Sequence, residues 1–230
     1  MIGTLLLAAL ACYGQAPQPA APPRDPNALV RAVVYNELHV PENTEFHTWK
    51  EKQVKPNRTT TKQYVETPEG LLGRLLTVND KPLAGSDLSK EDARINRLLD
   101  PKQMQQKRKQ QKEDENRTKK IVAALPDAFI YKETGTEEKN GHTLVNLRFT
   151  PNPNFSAPSK ETLVLQGMEG DMIVDSTAMR LVKIDGTMTK DVSIGWGIIG
   201  HLDKGGRFEV QQAEVEKGDW EVTLMRLNFT

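Results

Sequence analysis

Beyond Pro126 the chain is a succession of short segments in which apolar and polar residues alternate, separated by closely spaced turn signals. Val145, Leu147 and Phe149 alternate with Leu144, Asn146 and Arg148; Val182, Ile184 and Met188 with Lys183, Asp185 and Thr187; Trp220, Val222 and Leu224 with Glu221 and Thr223. A period of two puts each set on one face of a strand. Turn signals lie at Lys139-Asn140-Gly141-His142, whose Asn-Gly pair suits a tight hairpin, and at Glu169-Gly170-Asp171, Asp203-Lys204-Gly205-Gly206 and Lys217-Gly218-Asp219. Parallel strands need crossovers of a dozen or more residues, so these strands must be antiparallel neighbours.

The first half repeats the pattern on a smaller scale. Phe46–Val54, Thr59–Glu66 and Leu71–Val78 read as a three-stranded meander punctuated by Lys55-Pro56-Asn57 and Pro68-Glu69-Gly70 and closed by the turn Asn79-Asp80-Lys81-Pro82. Before it, Asp25 is placed as an N-cap with Pro26 at the first helical position, and Leu29, Val30, Val33 and Val34 fall at helical spacing, which predicts a short amphipathic helix to about Leu38. Both halves together make about ten strands, a number that curls or closes instead of staying flat. The expected fold is mainly β with α (α+β), a curved antiparallel meander or unclosed β-barrel with a few helices.

A helical insertion, 86–125, divides the two halves. Ser86 or Asp87 is the expected cap of a helix carrying Leu88, Ile95, Leu98 and Leu99. From Lys102 to Lys120, 11 of 19 residues are charged, eight basic and three acidic, and Met104 is the one large apolar residue. Burial cannot hold a segment that is polar all round, so it is either a solvated helix braced by pairs such as Glu113 with Arg117 and Glu115 with Lys119, or disordered. The basic and acidic residues interleave instead of forming one face, which favours a solvated insertion over a basic arm for an anionic surface. Ile121, Val122 and Leu125 would dock its C-terminal end, and Pro126 is expected to stop it.

The N-terminus speaks to compartment. Thr4 to Ala11 is a run of eight uncharged, mostly apolar residues, far short of the roughly 20 that span a membrane but suited to the apolar region of a signal peptide. Residues 1–16 are read as that signal, with the small-x-small site Gly14-Gln15-Ala16 at its end, and the prolines of 17–26 as an extended linker to a single domain, 27–230. Cys12 follows Ala9-Leu10-Ala11, which resembles a bacterial lipobox; the cysteine is then either a lipidation site tethering the protein to a membrane or one more small apolar residue of the signal. Periplasm or cell envelope is the expected location. The rest of the chain has no cysteine, so no intramolecular disulfide braces the core. Basic and acidic residues balance at 31 each, leaving no global field to attract nucleic acid.

Motifs for chemistry are sparse. Gly195-Trp196-Gly197-Ile198-Ile199-Gly200 matches GxGxxG, but dinucleotide binding needs a strand before and a helix after, whereas Arg207–Glu216 reads as a strand. The glycines are better read as a bulge or close-approach device where the sheet bends. Histidines 39, 47, 142 and 201 lie far apart with no zinc-type spacing, His142 on a hairpin and His201 beside a turn. GxSxG, Walker and HExxH motifs are absent, so neither a catalytic residue, a metal nor a cofactor is assigned. Met188, Trp196, Ile198, Ile199, Phe208 and Trp220 would line a cavity if the barrel is half closed and hollow, or pack as a core if it is filled.

The helical insertion ending Leu125-Pro126-Asp127-Ala128-Phe129, followed by a long meander with Ser193-Ile194-Gly195-Trp196-Gly197 and Arg207-Phe208-Glu209-Val210, resembles uncharacterised envelope proteins similar to the LolA-type lipoprotein-sorting superfamily. The resemblance is best from Leu125 to Thr230. It implies an unclosed antiparallel barrel with helices as a lid over an apolar cavity, and a periplasmic role in binding lipid or the acyl chains of lipoproteins. The expected function is thus non-enzymatic binding of an apolar or acylated ligand; the rival is an envelope scaffold with a filled β-core that presents the charged helix Lys102 to Lys120 to a partner.

Overall fold

The computed structural model describes residues 25–40, 46–196 and 199–228, with side chains for all of these but 193–202. Its elements run α1 (Pro26–Leu38), β1 (Thr48–Lys55), β2 (Arg58–Thr67), β3 (Gly70–Val78), β4 (Lys81–Pro82), α2 (Gly85–Leu98), α3 (Pro101–Ala128), β5 (Phe129–Lys139), β6 (His142–Pro151), a 3-10 turn (Glu161–Gly167), β7 (Met168–Asp175), β8 (Arg180–Met188), β9 (Val192–Trp196), β10 (Ile199–Leu202), β11 (Arg207–Glu216) and β12 (Asp219–Asn228). The protein is α+β and mainly β, and its antiparallel sheets do not close. The strands separate into a four-stranded sheet in the order β1-β2-β3-β4, a six-stranded sheet in the order β12-β11-β8-β7-β6-β5 and the small pair β10-β9. The paired helices α2 and α3 stand between the two larger meanders in sequence, and this interruption replaces one long sheet with two.

Core packing occupies one face of the six-stranded sheet. In α1, Asp25 caps the helix by accepting from the Asn27 N–H at 3.1 Å, and Leu29, Val30, Val33 and Val34 form its buried face. They meet Ala124, Leu125 and Ala128 of α3, Val164 and Leu165 of the 3-10 turn, and an inward row from every central strand: Phe129 and Tyr131, Val145, Leu147 and Phe149, Met168, Met172 and Val174, Ile184 and Met188, and Phe208. Phe129 packs tilted against Phe149, ring centres 4.7 Å apart, and edge-on to Tyr131, and burial of each such side chain contributes roughly 1.5–3 kcal/mol.

Two glycines set the spacing at the sheet's centre. Gly170 and Gly186 lie opposite each other in the inward row that runs from Phe149 to Phe208. A Cβ on Gly186 would sit 2.5 Å from the Phe208 ring, which covers the bare backbone, and a Cβ on Gly170 would collide with the Asp185 carbonyl and the Gly186 Cα of the next strand. The opposite face of the sheet is a charged lattice, in which Lys183 bridges Asp185 and Glu209, Arg207 holds Asp185 and Arg226 holds Glu209.

Several local details depart from expectation. The α2 N-cap is Ala84, not Ser86 or Asp87, and the residue that α2 buries is Glu91, while Leu88 and Leu99 are exposed. The helix α3 runs through Pro126 to Ala128. Pro126 lacks the N–H that would bond to the Val122 carbonyl, and only Asp127 and Ala128 follow it before the helix ends; the Leu125 carbonyl that the helix end leaves over accepts from the buried Tyr131 hydroxyl at 2.9 Å. Lys102 to Lys120 is helical, started by Asp100, which accepts from the N–H groups of Lys102 and Gln103, and Arg117 pairs with Asp114 at 2.8 Å. In β8 the register shifts opposite Ile173 and Val174, so Leu181, not Val182, joins Ile184 and Met188 against the core.

Candidate functional site: the open apolar row of the edge hairpin

Helices cover the sheet from β5 to β8, and the β11–β12 hairpin extends past that cover. Its turn is closed by Gly218, at φ +83°, whose N–H donates to Glu214 Oε1 at 2.6 Å. Phe208 faces Leu227 and Val210 faces Met225. Phe208 is buried and Val210 packs against the core, so Leu227 and Met225 share the helix-side face while standing outside it, 54% and 60% exposed. A bulge at Gln211/Gln212 then shifts the register so that Val222 opposes Gln212 and Trp220 opposes Glu214. The sequence alternation Trp220, Val222, Leu224 therefore splits: Leu224 turns to the charged face, and Trp220, Val222, Met225 and Leu227 form one row along the edge strand.

The tip of this hairpin is tied down by charge. Arg180 at the start of β8 lies 5.6 Å from the Trp220 ring and holds Glu37 of α1 through both carboxylate oxygens, at 3.0 and 3.1 Å, and the same carboxylate accepts from the Leu181 N–H at 2.8 Å. His47 approaches Asp219 at 3.6 Å, linking the strap before β1 to the hairpin. Burial, followed by the charges of Asp219 and Glu66, pushes the Glu221 carboxyl above its ordinary value. On the charged face Glu209 is held down to about 2, first by its hydrogen bond from Gln211 and then by Lys183 and Arg226.

Of the residues expected to line a cavity, Met188 and Phe208 are packing elements of the filled core. Trp196 and Ile199 oppose each other across the β9–β10 pair, whose register shifts between Ile199 and His201, and Ile198 and Cys12 lie outside the described residues. Among the described side chains of the group, Trp220 reaches the open row. The described residues of the GxGxxG stretch, Gly195, Trp196, Ile199 and Gly200, lie on these two antiparallel strands, and the next element is the strand β11 where a nucleotide site needs a helix.

The structure also joins residues that no local pattern could pair. His142 Nδ1 lies 2.6 Å from Asp175, whose buried carboxylate also accepts from the N–H groups of Thr177 and Ala178 and so fixes the β7–β8 turn. Among the described residues no group of three or more His, Cys, Asp or Glu is placed to hold a metal ion, and no helix is long and apolar enough to cross a membrane. A recess of about 740 Å³ between α3 and the loop after β6 is lined by Lys120, Asp127, Asn152, Phe155 and Thr162, away from the open row. Comparison with protein-family models, curated proteins and solved structures gives no match.

Proposed function

We propose that this is a non-enzymatic cell-envelope protein that binds an apolar or acylated ligand, a lipid or the acyl chains of a lipoprotein, along the open row of β12. One observation carries the reading: Val222, Met225 and Leu227 continue the core onto an edge strand where no helix covers them, each at least half exposed. Exposed contiguous apolar surface marks an interaction site in a folded protein. The space under α1, α3 and the 3-10 turn is filled with side chains, so the ligand lies beside the core and not within it. The N-terminal signal supports an envelope location, and Cys12 supplies a membrane tether if it is lipidated.

Titration of a fluorescent fatty acid into the purified protein tests this, together with solvent extraction and mass spectrometry of the material as isolated. The expected result is saturable binding that Met225→Asp/Leu227→Asp reduces by about tenfold or more, each lost contact being worth on the order of 1 kcal/mol. A ligand-free protein with no affinity for the probe refutes the reading.

The filled core favours a second reading, a scaffold that presents its charged helix to a partner. At about 1.5 Å per residue, the 28 residues of α3 reach about 42 Å, and most of Lys102 to Lys120 is exposed. Charge-neutralising substitutions along that stretch then abolish partner recovery and leave fatty-acid binding unchanged.

A further inference from the structure

The β3 edge facing α2 and α3 is occupied from Leu71 to Leu75 by side chains instead of a strand. The Leu71 carbonyl accepts from Lys107 Nζ at 2.5 Å, the Gly73 carbonyl accepts from Arg94, and the Leu75 N–H donates to Glu91 Oε1 at 2.7 Å. These three backbone groups, at alternate residues, are the ones an additional strand would engage. Beyond them β4 takes over, pairing with Thr77 and Val78, and the Leu83 N–H donates to the Leu76 carbonyl. The segment is thus a strand edge stopped by an ionic plug, a device that blunts edge-to-edge association.

The plug is held by polar contacts. Glu91 is the buried residue of α2, and it is braced by Arg94 at 2.6 Å; Arg74 and Asp92 pair beside it. The side chain that α2 buries fully is charged, and its apolar residues Ile95 and Leu98 are only half-buried. Burial and the neighbouring charges of Arg94 and Lys62 hold Lys107 below the ordinary lysine value, in keeping with a cation pressed against the strand.

We infer that Glu91, Arg94 and Lys107 mask a self-complementary strand edge, and that its occupant once the plug is removed is a second copy of this chain, joined β3 to β3 in antiparallel register about Gly73. The argument for that partner is symmetry. The outward groups at Leu71, Gly73 and Leu75 are spaced evenly about Gly73, so a two-fold axis there places Leu71 opposite Leu75 of the other copy and lets the two Gly73 residues exchange both hydrogen bonds. Gly73 itself presents no side chain, its inner face being covered by the Tyr64 ring.

Sedimentation equilibrium on the full chain, wild type against Glu91→Ala/Arg94→Ala, tests this alongside hydrogen exchange. The double variant dimerises at least about tenfold more tightly than wild type, and Gly70 to Leu76 gains protection as concentration rises. Circular dichroism checks that it is folded; if it is not, Arg94→Ala alone, which leaves Glu91 on the Leu75 N–H, shows the same direction with a smaller change. A folded variant that stays as monomeric as wild type overturns the inference. So does a dimer whose concentration-dependent protection falls on β12 and not on β3.

Discussion

Replacing Glu37 with alanine strips β8 of the anchor that joins it to α1. The carboxylate accepts both Arg180 bonds, at 3.0 and 3.1 Å, and the Leu181 N–H at 2.8 Å, and the two side chains are 11% and 12% exposed. Deleting one partner of a buried pair costs about 3–5 kcal/mol, because the remaining charge keeps its desolvation penalty without its counter-charge. The slight exposure here points to the lower end, about 3 kcal/mol, which for a chain of this size is a fall in Tm of about 6–12 °C. Urea titration followed by circular dichroism measures the loss, and the fluorescence of Trp220, over which Arg180 lies at 5.6 Å, reports whether the guanidinium moves. The double variant Glu37→Leu/Arg180→Met removes both charges and is expected to be more stable than Glu37→Ala alone. A cost below about 1 kcal/mol for Glu37→Ala, the range of exposed pairs, refutes the reasoning, as does a double variant as unstable as the sum of the singles.

Gly170→Ala is expected to destabilise more than Gly186→Ala, on the order of 3 kcal/mol against about 1, because the first overlaps the backbone of the next strand outright, whereas the second meets chiefly the far end of the Phe208 side chain and the Glu169 carbonyl only at 3.0 Å; thermal unfolding ranks them. Glu209 is held down to about 2, below its ordinary carboxylate value, so its contribution to stability is complete above the ordinary range and is lost as pH falls through that range towards 2. Urea titrations across that range should therefore show Glu209→Gln less stable than wild type at neutral pH, with the difference closing on acidification.

Much of the framework was legible along the chain because it rests on local signals. The Asp25-Pro26 start of α1, the Asn140-Gly141 hairpin with both residues at positive φ, and the strands of the first meander all follow from turn chemistry and periodicity, to within a residue or two. What was not legible depends on a partner far away in sequence. Glu91 on α2 looks like an ordinary surface residue until β3 offers it the Leu75 N–H. The ties of Glu37 to Arg180 and of His142 to Asp175 cross 143 and 33 residues, with no spacing rule to announce them.

The open row makes the same point from the side of packing. Trp220, Val222 and Leu224 alternate in sequence as though they shared a face, but one bulged residue turns Leu224 away and brings Met225 and Leu227 into line with Trp220 and Val222. The sequence by itself determined that the chain makes antiparallel strands, that a highly charged segment interrupts them and that no disulfide within the domain braces the core. Only the tertiary structure decided that the strands form two principal sheets, that Met188 and Phe208 fill the interior, and that apolar surface is left open at β12. A bulge's register and a helix's reach are set by contacts between distant segments, which local periodicity does not encode.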